Sequence, residues 1–226
     1  MYSRKKQSGF TLIEIAIVLV IIGLLLGGVL KGQELITSAR VRNLISIQDG
    51  YKAAFYGFQD RYRALPGDYS QASKVISGVA SAADGNGNGF IDNNEYQYVW
   101  DHLSHSGFIT GNYAYNTSGV SQYPTNPYSA PMELVYGDDY VEAGGNTSTT
   151  NRHILKTGAG IPSDILAEVD RKIDDGRADQ GSFRYSSNAN NGASGGTADP
   201  YNKCATTDNL WNTQAADSNC GAAVLF

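Results

Sequence analysis

The chain has 226 residues, 17% of them charged, with a formal net charge of −5. That acidic balance argues against general nucleic-acid binding driven by phosphate contacts. About 65 residues read as one long helix, and the remainder suffices for a single domain of ordinary size.

The chain opens with a short basic cluster, Arg4, Lys5 and Lys6, followed by "QSGFTLIEIAIVLVIIGLLLGGVLKG". Phe10 to Leu30 is 21 residues long and carries one ionisable side chain, Glu14. A run of about 20 apolar residues is long enough to cross a bilayer as a helix. The basic cluster should stay cytoplasmic, which sends everything after Leu30 across the membrane. An acidic group at mid-membrane costs roughly 2.5–3.5 kcal/mol, and less toward the interface. The charge can be merely tolerated in a signal anchor, but an intramembrane ionisable residue points by default to a specific partner. A secretory signal has its small-residue cleavage site after the apolar core. Here the helix continues as "KGQELITSAR", and the small residue precedes the core at Gly9. Cutting between Gly9 and Phe10 creates an amino group four residues from Glu14. In an array of identical helices, that amine can meet the carboxylate of a neighbour.

"KKQSGFTLIEIAIVLVIIGLLLGG" closely resembles the processing site of type IV prepilins and of type II secretion pseudopilins. The resemblance covers about the first 35 residues. "RYRALPGD" and "DRKIDDG" are similar to pilin-like proteins more loosely. It implies cleavage after Gly9 by a prepilin peptidase, N-methylation of Phe10, and a role for Glu14 in docking an incoming subunit. Removal of residues 1–9 takes Arg4, Lys5 and Lys6 with it, leaving 14 basic against 22 acidic side chains, a balance of −8.

Downstream, Val41, Leu44, Ile47, Tyr51, Phe55, Phe58, Tyr62 and Leu65 fall at helical spacing on one stripe. Pro66-Gly67 should end the helix. The expected helix over residues 10–65 is roughly 84 Å long, apolar all round over 10–30 and one-sided beyond. Gly23, Gly27, Gly28 and Gly32 weaken its middle, and they permit either close helix packing or the local stretching that the family shows in assembled pili.

Residues 66–226 read as a globular head. "DGNGNGFIDNNE", residues 84–95, fits the calcium-loop pattern D-x-[DN]-x-[DN]-G-x5-E at every specified position. Asp84, Asn86 and Asn88 would supply side-chain oxygens and Phe90 its carbonyl. Asp92 would act directly or through water, and Glu95 would close the site with two oxygens. Gly89 permits the sharp turn, and Ile91 can pin the loop to the core. A flexible Gly/Asn turn is the alternative. Only three of these ligands are carboxylates, so a modest affinity of roughly 10⁻⁴–10⁻³ M is expected for Ca2+. The exiting helix is expected from about Asn94 to His105. Within it His102 and His105 share a face, but two ligands do not make a metal site.

Strands are expected in Met132 to Ala143, Arg152 to Gly158 and Gly181 to Ser187, and a helix in "PSDILAEVDRKIDDG" with Ser163 as N-cap and Gly176 past its end. Asp170, Asp174, Asp175 and Asp179 cluster where a helix C-terminus disfavours carboxylates, so either backbone N–H groups or a cation should compensate. The tracts Thr110 to Pro131 and Ser186 to Thr206 read as surface loops. Tyr113, Tyr115, Tyr123, Tyr128, Tyr185 and Tyr201 lie in or beside them, either anchoring the loops or forming an adhesive surface. Cys204 and Cys220, exported with the head, should pair, as in the C-terminal loop of many type IV pilins. Closing such a loop contributes roughly 3 kcal/mol.

No G-x-S-x-G, Walker A or H-E-x-x-H motif occurs, so no enzyme is expected. The expected fold is α+β: a long N-terminal helix on a small antiparallel sheet with long loops. The expected role is a subunit of a type IV pilus or pilin-like filament. The rivals are a type II secretion pseudopilin and a minor pilin whose head binds a surface, glycan or DNA. Its partners would be itself or other pilins, the prepilin peptidase and inner-membrane assembly machinery. It would sit as a single-pass inner-membrane protein before assembly, then in an extracellular pilus or periplasmic pseudopilus.

Overall fold

The computed structural model describes residues 11–92, 94–115, 122–187 and 197–226. The expected leader, the Gly9-Phe10 junction and the inner parts of both expected loop tracts lie outside the described residues. The layout is α+β, one long apolar-to-amphipathic helix and a small antiparallel sheet. Two compact units divide after Arg40, the first ending there and the second running from Val41 to Phe226.

Helix α1 is Leu12–Tyr62. Its first part is long and apolar enough to cross a membrane by length and composition. Leu12, Leu19, Val20, Leu24 and Leu30 are all exposed, an arrangement that suits lipid or other helices better than water. From Val41 the helix belongs to the second unit and buries one stripe. Val41, Leu44, Phe55 and Phe58 are at most 3% exposed, which bears out the expected periodicity. The helix stops three residues before the expected end at Leu65. Arg63 takes a left-handed φ of 54°, and the residue before Pro66 is pushed out of helical conformation.

After the helix come α2, Ala72–Val75, and a 3-10 turn at Ser81–Ala83. The single helix expected over Asn94 to His105 is instead a 3-10 turn, Glu95–Gln97, followed by α3, Val99–His105. Trp100 of α3 is fully buried, with its ring centroid 4.8 Å from that of Tyr51. Phe108, just beyond α3, lies on α1 at Gly57. A Cβ there would come within 2.8 Å of the Phe108 ring. Gly57→Val is therefore expected to displace Phe108 and cost about 1–3 kcal/mol by overpacking, measured as a lower denaturation midpoint.

The main sheet has the order β1-β4-β6-β5, antiparallel throughout. Its strands are β1, Glu133–Gly137, β4, Arg152–Lys156, β5, Phe183–Tyr185, and β6, Ala222–Leu225. A separate hairpin pairs β2, Val141–Glu142, with β3, Asn146–Thr147. The expected strand Met132 to Ala143 is thus two strands, parted where Asp138 and Asp139 turn the chain. Helix α1 meets the face bearing Tyr136 and His153, through Phe55. Helix α4, Ser163–Ile173, buries Ile165, Leu166 and Val169. Pro162, not Ser163, is its N-cap residue. The Ser163 hydroxyl instead donates to Asn212 O and accepts from Asp217 N–H. Helix α5, Tyr201–Cys204, ends at a disulfide joining Cys204 to Cys220. Tyr113, Tyr115, Tyr123, Tyr128 and Tyr201 are partly buried against the core, and Tyr185 is buried in it, which supports loop anchoring.

Candidate functional site

Two places carry chemistry, one in each unit. At the start of α1, Glu14 Oε2 accepts from the backbone N–H of Thr11 at 2.8 Å and from its hydroxyl at 2.8 Å. The Glu14 N–H donates back to Thr11 Oγ1 at 3.3 Å. This is a capping box, T-L-I-E, in which an N-cap hydroxyl and a carboxylate three residues on satisfy each other's backbone. The box uses Oε2 alone, and Oε1 has no partner among the described residues. The capping box is a local reason for an acid at this position that the apolar run by itself does not suggest.

The second place is the loop of residues 84–95. Asn86 Oδ1 accepts from Asn88 N–H and Asn88 Oδ1 from Phe90 N–H, each at 2.8 Å. The side-chain amide of Asn88 reaches Asp92 Oδ2 at 3.0 Å. Glu95, 5% exposed, folds back over the loop: Oε1 accepts from Asn86 N–H at 2.7 Å and Oε2 from Asp92 N–H at 3.3 Å. Burial raises the pKa of Glu95, the Asn86 N–H lowers it, and the negative charges of Asp68 and Asp92 raise it further. Ile91 is fully buried, and its carbonyl accepts from Tyr136 N–H at 2.8 Å, so the loop is pinned to β1. Phe90 packs on Tyr136 with ring centroids 4.5 Å apart.

Asp84 faces elsewhere. Its Oδ1 accepts from Ser73 N–H and its Oδ2 from Ser73 Oγ, both at 2.7 Å. The carboxylate at the head of the loop comes instead from Asp68, 3% exposed. Its Oδ1 accepts from Gly87 and Asn88 N–H at 2.7 and 2.9 Å, and its Oδ2 from Gly89 N–H at 2.8 Å. Sequence reasoning missed Asp68. Its signal is the Pro66-Gly67-Asp68 turn together with Gly85, where a Cβ would stand 2.3–2.4 Å from Asp68 backbone atoms. Only a residue without a side chain lets the two segments approach this closely. Among the described residues, no three His, Cys, Asp or Glu side chains converge as a metal-holding group.

The remaining candidates are structural. His102 is fully buried, its Nδ1 accepting from Gly67 N–H at 2.9 Å and its Nε2 2.8 Å from Ala83 O. Burial lowers its pKa. His105 pairs with Asp101, so the two histidines hold separate partners. In the late Asp cluster, backbone N–H groups supply the compensation. Asp174 accepts from Ser182 and Phe183 N–H, and Asp179 accepts from Gly144 N–H and Arg177 Nε. Asp170 accepts from Gly176 N–H and Trp211 Nε1. Its pKa is pushed up to about 7 by burial, against these two hydrogen bonds.

Residues 4–30 match the family model described as the prokaryotic N-terminal methylation motif. The chain thus carries the signature of type IV pilins and pseudopilins. Neither the curated proteins nor the solved structures returned a match.

Proposed function

We propose that this protein is a structural subunit of a type IV pilus or pilin-like filament, cut after Gly9, methylated on Phe10 and polymerised through α1. The methylation motif over residues 4–30 carries the reading. The apolar first part of α1 supports it, because it is exposed and needs lipid or copies of itself to cover it. The same motif suits a type II secretion pseudopilin. The Tyr- and loop-rich head favours the pilus. On this reading the protein waits in the inner membrane with its N-terminus cytoplasmic, and enters a filament with its head outside. The loop of residues 84–95 then binds Ca2+ in a structural role, fixing a Gly-rich segment to the head.

Intact-mass analysis of sheared surface filaments tests the reading. The expected species begins at Phe10, carries a methyl on its amine and dominates the preparation. Retention of Met1 to Gly9 in the assembled form would overturn it. A Gly9→Leu variant should accumulate as uncleaved precursor in the membrane.

A further inference from the structure

We infer that Lys156 and Asp139 condense to an amide, a covalent cross-link between β4 and the turn after β1, with Glu133 carrying the proton. Lys156 is 2% exposed, and its Nζ lies 2.8 Å from Asp139 Oδ2. The carboxyl carbon is one bond further on. Amine and carbon are therefore within about 4 Å, close to the 3–3.5 Å of a near-attack arrangement. Glu133 stands directly opposite Lys156 in the β1–β4 register and is 1% exposed. Directly opposed residues have Cβ atoms about 4.5–5.5 Å apart on one sheet face. The Glu133 carboxylate is thus within reach of the same amine.

The surroundings favour condensation over a lasting ion pair. Lys156 and Glu133 are taken almost wholly out of water, which is expensive for charges even when they are paired. A neutral amide removes the charges of Lys156 and Asp139 together. Buried phenols lie near both acids. Burial raises the pKa of Tyr96 and of Tyr185, and the charge of Glu133 adds to the first shift and that of Asp139 to the second. Asp139 Oδ1 accepts from the Ser187 hydroxyl at 2.6 Å, which orients the carboxyl group and leaves Oδ2 to the amine. The Asp139 side chain is 24% exposed, an outlet for the water that leaves.

The step balances with these residues alone. A proton passes from the Lys156 ammonium to Oδ2 of Asp139, giving an amine and a carboxylic acid. The Nζ lone pair attacks Cγ, an N–C bond forms, and the carbonyl π pair moves onto Oδ1. There the Ser187 hydroxyl stabilises the developing charge. Glu133 takes the surplus proton from Nζ and delivers it to the Oδ2 hydroxyl. The carbonyl re-forms as the Cγ–Oδ2 bond breaks, water leaves, and Glu133 ends as it began. Proximity and exclusion of bulk water supply what a surface lysine and aspartate lack. The bond closes the chain around the β2–β3 hairpin, so that this stretch stays joined when the head is pulled or digested.

Mass analysis of the full chain, detergent-solubilised and with its disulfide reduced, tests the bond. The expected mass is one water, about 18 Da, below that of the unbonded chain, with the N-terminus read from the same digest. Trypsin should cut after Arg152 and Arg171 but not after Lys156. The stretch ending at Arg152 and the stretch from His153 to Arg171 should then leave as one branched peptide, with fragment ions placing the branch on Asp139. Glu133→Gln should show the unshifted mass, cleavage after Lys156 and a lower melting temperature. An unshifted wild-type mass with cleavage after Lys156 overturns the cross-link. A branch on Glu133 overturns the choice of reacting acid, and full bond formation in Glu133→Gln overturns its role as proton carrier. Where Glu133→Gln does not fold, the wild-type mass and branch point decide alone.

Discussion

Lys156→Ala is expected to cost the head about 3–5 kcal/mol, because it removes a buried cation from the partly buried Asp139 carboxylate and from beside the buried Glu133. Lys156 is 2% exposed, and its Nζ lies 2.8 Å from Asp139 Oδ2. In the β1–β4 register Lys156 stands directly opposite Glu133, which is 1% exposed. Directly opposed residues share a sheet face, so Lys156 and Glu133 lie side by side there, and Asp139 reaches the amine from the turn after β1. Arg184 does not substitute for it: its Nε is given to Gly181 O, and its guanidinium lies 5.7 Å from the Tyr140 ring centroid. Asp139 Oδ1 also accepts from the Ser187 hydroxyl at 2.6 Å, so loss of the lysine also loosens the chain after β5. Equilibrium denaturation distinguishes charge from packing. Lys156→Met keeps the apolar stem and should still lose most of the stability. Adding Asp139→Leu and Glu133→Gln to Lys156→Met should recover much of it, since replacing a whole buried ion group is far milder than breaking one. A Lys156→Met variant as stable as wild type would show that the stem, not the charge, holds this face.

Sequence reading worked where one element satisfies its own periodicity. The stripe from Val41 to Phe58 was legible because a helix turning every 3.6 residues must put those side chains on one side. The strand of "RHILK" was legible from its β-rich run. Strand β6, "AAVL", was not: it lies between β4 and β5, all four residues are buried, and a short run with two alanines has no period to show. The end of α1 was misjudged by three residues because Arg63 adopts a left-handed conformation before Pro66 is reached. In the loop of residues 84–95, the motif showed which residues are there but not which carboxylate fills its centre. That depends on a contact between Asp68 and Gly87 to Gly89, across an intervening α2 and 3-10 turn, which no local spacing encodes. The late Asp cluster was open between backbone and cation for the same reason. The decisive N–H groups belong to Ser182, Phe183 and Gly144, the last from another part of the chain.

Glu14→Leu is expected to insert into the membrane and fold its head, yet to give almost no filament. A leucine there removes the cost of placing an acid in an apolar run, so any assembly loss cannot come from poor insertion. In the capping box Glu14 Oε2 is held by Thr11, and Oε1 has no partner among the described residues. On the proposed function, the mature amine of Phe10 on an adjacent subunit approaches the Glu14 carboxylate. In a low-dielectric surrounding the pair attracts strongly, and an unpaired charge is expensive. A helix docked at the wrong height would leave both charges unpaired, so the pair marks register. The capping box is a rival explanation, because losing a cap costs about 0.5–2 kcal/mol. Two further variants separate them. Glu14→Gln keeps an oxygen that can accept from Thr11 but has no charge, and should assemble as poorly as Glu14→Leu. Thr11→Ala removes the box but keeps the carboxylate, and should assemble. The readout is sheared filament yield against total membrane-inserted protein, with cleavage after Gly9 confirmed in each strain. Normal yield from Glu14→Gln together with low yield from Thr11→Ala would assign the acid to capping. Normal yield from Glu14→Leu would remove it from assembly altogether.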